Sequence, residues 1–188
     1  GAIDSAELFR LMSRQIASPV KQFQQFDEWR KEAGNCLNQG KELERQEKLD
    51  EAIEVYYKAV ELNPHLPWTY HSLGDVLSRK GMLDEAISCY CECIRLSPDV
   101  PWSYHALGDL LVRKGHPEEA IGCYRYALHF KPDLCWSHNG LAGIFLARGE
   151  LEKAAEHYRA ALEVEPNLEP AKTNLEAVLQ QLNSDSVA

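Results

Sequence analysis

Two consecutive stretches of the chain, 67–100 and 101–134, are near-copies of each other. When they are aligned without a gap, about half of the positions are identical, which is far more than chance would give. A fixed period of this length predicts a stack of repeated supersecondary units, each of which buries its apolar face only against its neighbours. The step of 34 residues extends in both directions and separates prolines, alanines and tyrosines: Pro64, Pro98, Pro132, Pro166, Ala52, Ala86, Ala120, Ala154, Tyr56, Tyr90, Tyr124 and Tyr158.

Each repeat is predicted to be a pair of helices joined by a tight turn. In the second repeat, Pro67 suits a first helical turn, where its missing N–H is not needed, and Gly81 suits a left-handed helix stop. A second helix follows over about 83–96, and Pro98 ends it because the residue before a proline is pushed out of helical geometry. The first repeat has Glu47 instead of the turn glycine, so we expect its turn to be less tight. The apolar or small side chains stand at helical spacing: Tyr70, Leu73, Gly74, Leu77, Ala86, Ile87, Tyr90, Cys93 and Ile94.

The period and the repeated residues resemble the tetratricopeptide repeat (TPR) family, whose pattern is W-x2-L-G-x2-Y, then A-x3-F, then P. The resemblance covers about 33–168 and implies an all-α fold, namely a right-handed α-solenoid of about four helix pairs. The expected repeats are 33–66, 67–100, 101–134 and 135–168. The third and fourth repeats carry the pattern as Tyr104, Leu107, Gly108, Leu111, Ala120, Tyr124, Pro132 and as His138, Leu141, Ala142, Phe145, Ala154, Tyr158, Pro166.

The segments outside the repeats are expected to be helical at both ends. Residues 1–32 are predicted to form an N-terminal segment of two helices, the first opened by an Asp4–Glu7 capping box and the second starting at Ser18–Pro19. We expect this segment to cap the first repeat, or to be an oligomer contact through Phe23, Phe26 and Trp29. A C-terminal capping helix is expected over 169–182, with a frayed tail at 183–188.

The amino-acid composition argues against several classes of protein and of binding partner. The chain has 188 residues and a formal net charge of −9, and an acidic chain is not expected to bind nucleic acid or an anionic membrane. No apolar run is long enough for a transmembrane helix, and the start lacks the features of a signal peptide. The six cysteines show no zinc-ligand spacing, so we expect reduced thiols, no metal and no cofactor in a cytoplasmic protein. The missing initiator Met leaves open that the sequence is a fragment.

In TPR proteins the first helix of each repeat lines a concave groove, and the resemblance implies which of its positions face a ligand. Trp and Arg are enriched at interaction hot spots, so these positions predict binding of a protein or peptide, while their mixed charge leaves the partner's charge open. The alternative is that the polar side chains at these positions pair with one another at i,i+4 spacing along each helix and that the tryptophans pack between repeats. The predicted positions are Trp68, His71, Asp75, Ser78, Arg79, Trp102, His105, Asp109, Val112, Arg113, Trp136, Asn139, Gly143, Ala147, Gly34, Leu37, Lys41, Glu44 and Arg45.

The sequence contains no nucleophile in a recognisable catalytic setting, so we expect no enzyme activity. The leading interpretation is a scaffold whose groove binds a segment of another protein. A first alternative is a self-assembly module that forms a homo-oligomer through the N-terminal helices. A second is an accessory, substrate-recruiting domain of a larger transferase, because similar TPR arrays are fused to glycosyl- and sulfotransferases.

Overall fold

A computed structural model describes the backbone of residues 5–185, together with the side chains of 19–185 and of Glu7, Arg10 and Met12. This part of the chain contains nine α-helices and no strand. It divides into two compact units, one up to Thr69 and one from Tyr70. The helices are α1 (Ser5–Arg45), α2 (Leu49–Leu62), α3 (Pro67–Arg79), α4 (Leu83–Leu96), α5 (Pro101–Arg113), α6 (Pro117–Phe130), α7 (Cys135–Ala147), α8 (Leu151–Val164) and α9 (Glu169–Asp185).

The first unit is organised around the end of α1 and the whole of α2, which pack against each other. A Cβ atom added to Gly40 of α1 would lie 2.3 Å from the ring of Tyr56 on α2, so the close approach of the two helices needs glycine at this position. The turn between them is as tight as the later ones. Glu47 adopts the left-handed conformation with φ 59°, and the Lys48 amide donates to the Leu43 carbonyl at 2.9 Å. The looser turn expected for the first repeat is therefore wrong.

The N-terminal segment is one helix and not two. Helix α1 runs through Pro19 without interruption, so the predicted break at Ser18–Pro19 is wrong. A proline inside a helix removes one backbone hydrogen bond and strains the turn before it, but the good helix formers that follow it continue the helix. The expected Asp4–Glu7 capping box lies outside the described residues, because Asp4 is not among them.

The second unit repeats one packing arrangement along the chain. In the second and third repeats a tyrosine of the second helix lies against a glycine of the first: an added Cβ would lie 2.9 Å from Tyr90 at Gly74 and 2.7 Å from Tyr124 at Gly108. Successive repeats then pack through α4 on α5 and α6 on α7, and α9 covers α8. Helix α9 extends to Asp185, so residues 183–185, which were predicted to fray, are helical. Left-handed glycines close the three turns, namely Gly81, Gly115 and Gly149.

Candidate functional site

The candidate site in the second unit is the set of side chains that we call the groove face: His71, Asp75, Arg79, Trp102, His105, Asp109, Arg113, Trp136 and Asn139. They lie on α3, α5 and α7, the first helices of their repeats. Trp102 and Trp136 are each the second residue of their helix and are 42% and 48% exposed. About half of each tryptophan is therefore accessible to a partner, and the other half is covered by the protein.

Asp75 is held by two neighbours in the second repeat. The Tyr90 hydroxyl donates a hydrogen bond to Asp75 Oδ1 at 2.5 Å, and His71 Nε2 lies 3.5 Å from Asp75 Oδ2. On its other side, His71 Nδ1 lies 2.8 Å from Ser103 Oγ of the next repeat. The carboxylate is thus fixed in place by one tyrosine and one histidine.

The third repeat reproduces the same network. Tyr124 donates to Asp109 Oδ1 at 2.5 Å, His105 Nε2 lies 3.4 Å from Asp109 Oδ2, and His105 Nδ1 lies 3.0 Å from Ser137 Oγ. Burial lowers the pKa of His105, against the opposing effect of Asp109. The histidine is therefore mainly neutral near pH 7, which leaves the negative charge of Asp109 largely uncompensated by it.

Sequence reasoning found the His–Asp pairs but missed the residues that complete the networks. Ser103 and Ser137 escaped notice because a single serine carries little signal, although their spacing of 34 residues matches the repeat. Under the alternative interpretation, Arg113 would pair along its own helix. Its guanidinium instead donates to Ser78 Oγ of the preceding repeat at 2.9 Å. The polar side chains of the groove face therefore form contacts between helices as well as within one helix.

Helix α7 departs from this pattern and leaves a cavity. Gly143 and Ala147 stand where α5 carries Asp109 and Arg113, 34 residues earlier. A cavity of about 570 Å³ opens there, and its lining includes Val112, Tyr124, Gly140, Gly143, Ile144 and Ala147. Most of these groups are apolar.

Two polar side chains also line this cavity. Asn139 Oδ1 is buried and has no hydrogen-bond partner among the described residues. The Arg148 guanidinium, by contrast, forms an ion pair with Glu118 and lies 3.8 Å from Glu150 Oε1. The arginine charge is therefore balanced by two carboxylates, whereas the asparagine carbonyl can still accept a hydrogen bond.

The predicted site residues of the first unit are Lys41, Arg45 and Trp68. Arg45 Nη2 pairs with Glu42 Oε1 at 2.6 Å, and the hydrogen bond from Arg45 lowers the pKa of Glu42 to about 2. Lys41 is exposed near the end of α1. Trp68 is exposed at the start of α3.

The predicted oligomer contacts lie on α1, where every side chain from 19 to 32 is exposed. Phe23 is 71% exposed, and Phe26 and Trp29 are also exposed. The rings of Phe26 and Trp29 meet edge to face, with centroids 5.5 Å apart. Side chains placed in this way are accessible to a partner.

Outside the groove face, two further sets of ring side chains lie close together among the described residues. His138 Nε2 lies 3.1 Å from the Pro132 carbonyl, and His138 Nδ1 lies 3.2 Å from His157 Nδ1. On α6, Tyr126 stacks on Tyr104 with ring centroids 5.4 Å apart. Among the described residues no three His, Cys, Asp or Glu side chains are placed to hold a metal ion.

The structure and the sequence together define a helical-repeat protein, and comparison with known proteins identifies the family. Models of the tetratricopeptide repeat match residues 40–81, 69–100 and 105–168. The chain belongs to the tetratricopeptide repeat family. Comparison with curated proteins gives no match.

Solved structures show the same all-α fold, the TPR α-solenoid. MamA is 20% identical with a TM-score of 0.73, covering 82% of this chain and 86% of its own. YrrB, described as a TPR protein with an unusual peptide-binding site, is 22% identical with a TM-score of 0.66, covering 79% and 76%. The first TPR of Spaghetti (RPAP3), bound to the HSP90 peptide SRMEEVD, is 23% identical with a TM-score of 0.60, covering 62% and 93%. At these identities the likeness establishes the fold.

The length and apolar character of the helices bear on the expected absence of a transmembrane helix. Within residues 5–185, none of the helices combines the length and the apolar character needed to cross a membrane. The expected cytoplasmic location stays a prediction.

Proposed function

We propose that this chain is a non-enzymatic binding scaffold that holds a segment of another protein against the groove face. The fold supports this proposal, because two proteins with the same fold are described as binding peptides, namely YrrB and the first TPR of Spaghetti (RPAP3). The repeats supply a rigid frame from which side chains of adjacent repeats point to one side. In the first unit, Lys41, Arg45 and Trp68 remain predicted ligand-facing residues.

The observation that carries the proposal is the exposure of Trp102 and Trp136. Two tryptophans that leave almost half of their surface exposed occupy the same position of α5 and α7. A buried tryptophan contributes much of the free energy of binding at many interfaces, because it combines a large apolar area with an N–H donor. A protein segment is the ligand class that uses such anchors.

The test is capture of partners from the native lysate, read by mass spectrometry. We expect a partner that the wild type retains to be lost with the Trp102→Ala/Trp136→Ala variant. Tyr126→Ala is the matched control, because Tyr126 is an exposed aromatic residue on α6, outside the groove face. Circular dichroism must show both variants folded. Equal capture by the wild type and the tryptophan variant would contradict groove binding.

A second candidate function is self-assembly through α1. It is favoured by the exposure of Phe23, Phe26 and Trp29, because a patch of exposed aromatic side chains marks interaction sites. Analytical ultracentrifugation would test it. The Phe23→Ala/Phe26→Ala variant should reduce the mass to that of the monomer, while Trp102→Ala/Trp136→Ala leaves it unchanged. A wild type that is monomeric at all accessible concentrations would contradict self-assembly.

A third candidate is that this chain is an accessory domain of a larger transferase. TPR arrays that resemble it are fused to transferases, and in that setting the groove face would recruit the substrate. Sequencing the parent gene through both ends of this chain decides between the two contexts. A catalytic domain in the same reading frame would support a recruiting domain, and its absence would favour an independent scaffold.

A further inference from the structure

We infer that the cavity between α5, α6 and α7 receives an apolar side chain of the bound segment, and that Asp109 pairs with a basic residue close to it. This inference rests on the proposed function, because it names the chemistry of the partner at the groove face. Three observations support it: the volume and lining of the cavity, the hydrogen-bond acceptors beside it, and the ion pairs that the nearby arginine and carboxylate side chains form.

The cavity is large enough to hold an aliphatic or aromatic side chain together with part of the bound backbone, and most of its lining is apolar. Its volume of about 570 Å³ lies within the range of ligand-binding clefts, roughly 300–1,000 Å³. The cavity exists because α7 has Gly143 and Ala147 where α5 has an aspartate and an arginine. Gly143 is not required by packing, since an added Cβ would meet no atom within 4 Å. A helix-interior glycine without such a requirement costs stability.

The groups next to the cavity accept hydrogen bonds. Tyr124, whose ring lines the cavity, donates to Asp109 Oδ1 and so fixes that carboxylate beside it. The Asp109 side chain is 53% exposed and can therefore bind a further cation. Asn139 Oδ1 has no hydrogen-bond partner among the residues that the structure describes. Because Asn139 Oδ1 is itself buried, the exposed Asp109 carboxylate is the acceptor that a partner can reach, and it favours a basic donor.

The surrounding charges favour a cation rather than an anion. Arg148 is paired with Glu118 and lies close to Glu150, so it does not offer a free positive charge. Arg113 lies one helical turn beyond Asp109 but directs its guanidinium towards Ser78, away from α7. Asp109 is thus an exposed negative charge close to the cavity, held there by Tyr124. The formal net charge of −9 would also attract a basic segment over longer distances.

The geometry predicts the spacing between the two recognised residues. Val112, which lines the cavity, is three residues after Asp109 on α5, and residues at this spacing are roughly 5–6 Å apart. In an extended segment two residues on the same side are about 6.6 Å apart. The bound segment is therefore expected to carry its basic residue two positions from the apolar one if extended, or three to four positions away if helical.

The experiment selects binders from a phage-displayed library of random peptides against the full chain. The expected result is enrichment of peptides with a large apolar residue and a Lys or Arg at the spacing above. Gly143→Leu should place a side chain in the cavity, obstruct part of it, and reduce binding of the selected peptide at least about tenfold. Gly122→Leu is the matched control, because Gly122 is also a helical glycine with open space at its Cβ but lies on α6 and does not line this cavity. It should leave the affinity unchanged.

The charge is tested with Asp109→Asn, which keeps an oxygen to accept the hydrogen bond of Tyr124. It should weaken binding of the basic peptide about tenfold, the effect of one charged hydrogen bond, and should not affect a peptide in which the basic residue is replaced by Gln. If binding survives Gly143→Leu but is lost with Trp102→Ala/Trp136→Ala, this inference is wrong and groove binding stands. If both variants bind as the wild type does, or if no peptide is selected at all, both proposals fail.

Discussion

Tyr124 and Asp109 are joined by a hydrogen bond of 2.5 Å between the tyrosine hydroxyl and the carboxylate oxygen Oδ1. Tyr124 is almost fully buried, whereas the Asp109 side chain is half exposed. The pair therefore connects the core of the third repeat to the groove face. Burial and the nearby carboxylate both raise the pKa of Tyr124, so the tyrosine remains a donor at all physiological pH values.

We predict that Asp109→Ala destabilises the protein more than Asp109→Asn does. The alanine leaves the buried Tyr124 hydroxyl without its acceptor, which costs about 1–3 kcal/mol, whereas the asparagine retains an acceptor oxygen. Urea denaturation followed by circular dichroism measures the difference in the free energy of unfolding. Equal stability of the two variants would mean that water replaces the carboxylate without loss.

Two glycines of the groove-face helices are predicted to respond oppositely to alanine. At Gly108 the added Cβ would lie 2.7 Å from the Tyr124 ring, so Gly108→Ala should destabilise the protein by about 1–3 kcal/mol through overpacking. At Gly143 the Cβ meets open space, so Gly143→Ala should stabilise it by about 0.5–1 kcal/mol through helix propensity. Thermal unfolding of both variants gives the sign directly. A stabilising Gly108→Ala would contradict the packing of Tyr124, and a destabilising Gly143→Ala would contradict the open space at Gly143.

The left-handed conformation of Glu47 predicts a stabilising substitution. With φ 59°, Glu47 bears a steric cost of about 1–2 kcal/mol that a glycine avoids, although part of this gain is offset by the greater freedom of glycine in the unfolded chain. We therefore expect Glu47→Gly to be more stable than Glu47→Ala by about 1 kcal/mol. Comparison with Glu47→Ala removes the contribution of the carboxylate, which is absent from both variants. A Glu47→Gly variant no more stable than Glu47→Ala would indicate that the turn relaxes without strain.

Stability is predicted to fall when the pH is lowered from about 7.5 to 5. Burial lowers the pKa of His105, and burial together with His138 lowers the pKa of His157. Below the unfolded-state pKa, about 6.5, the unfolded chain binds more protons than the folded chain, so the free energy of unfolding decreases as the pH falls. Urea titrations at several pH values measure this slope.

The His105→Gln/His157→Gln variant should show a flatter dependence of stability on pH over this range, whatever its stability at pH 7.5. An undiminished slope in that variant would assign the pH dependence to other groups. Carboxylates titrate mainly below this range.

The thiols of Cys89 and Cys123 are predicted to react slowly near neutral pH. Burial raises the pKa of Cys89 and of Cys123 to about 11, so their thiolate fractions are small at pH 8. Iodoacetamide labelling followed by mass spectrometry should therefore modify these residues slowly, with a rate that rises tenfold per pH unit up to about pH 10. Rapid labelling of Cys123 at pH 7 would contradict the burial of its thiol.

Much of the fold could be predicted because the 34-residue period constrains each repeat in the same way. The positions of Pro98 and Gly81 predicted helix ends, and α4 does end at Leu96, with Gly81 in the left-handed conformation. The errors arose where the period is absent or altered. Pro19 lies outside the repeats, and Glu47 adopts a glycine conformation that its residue type disfavours.

The sequence by itself determined the repeat, the helix pairs and the identity of the residues at the predicted ligand-facing positions, because periodic apolar positions and turn residues act locally. Only the tertiary structure decided which side chains those residues contact. It directs Arg113 to Ser78 and Tyr124 to Asp109, and it opens a cavity beside Gly143. These features depend on how neighbouring helices approach, and that approach is set by the summed packing of side chains that are distant in the sequence.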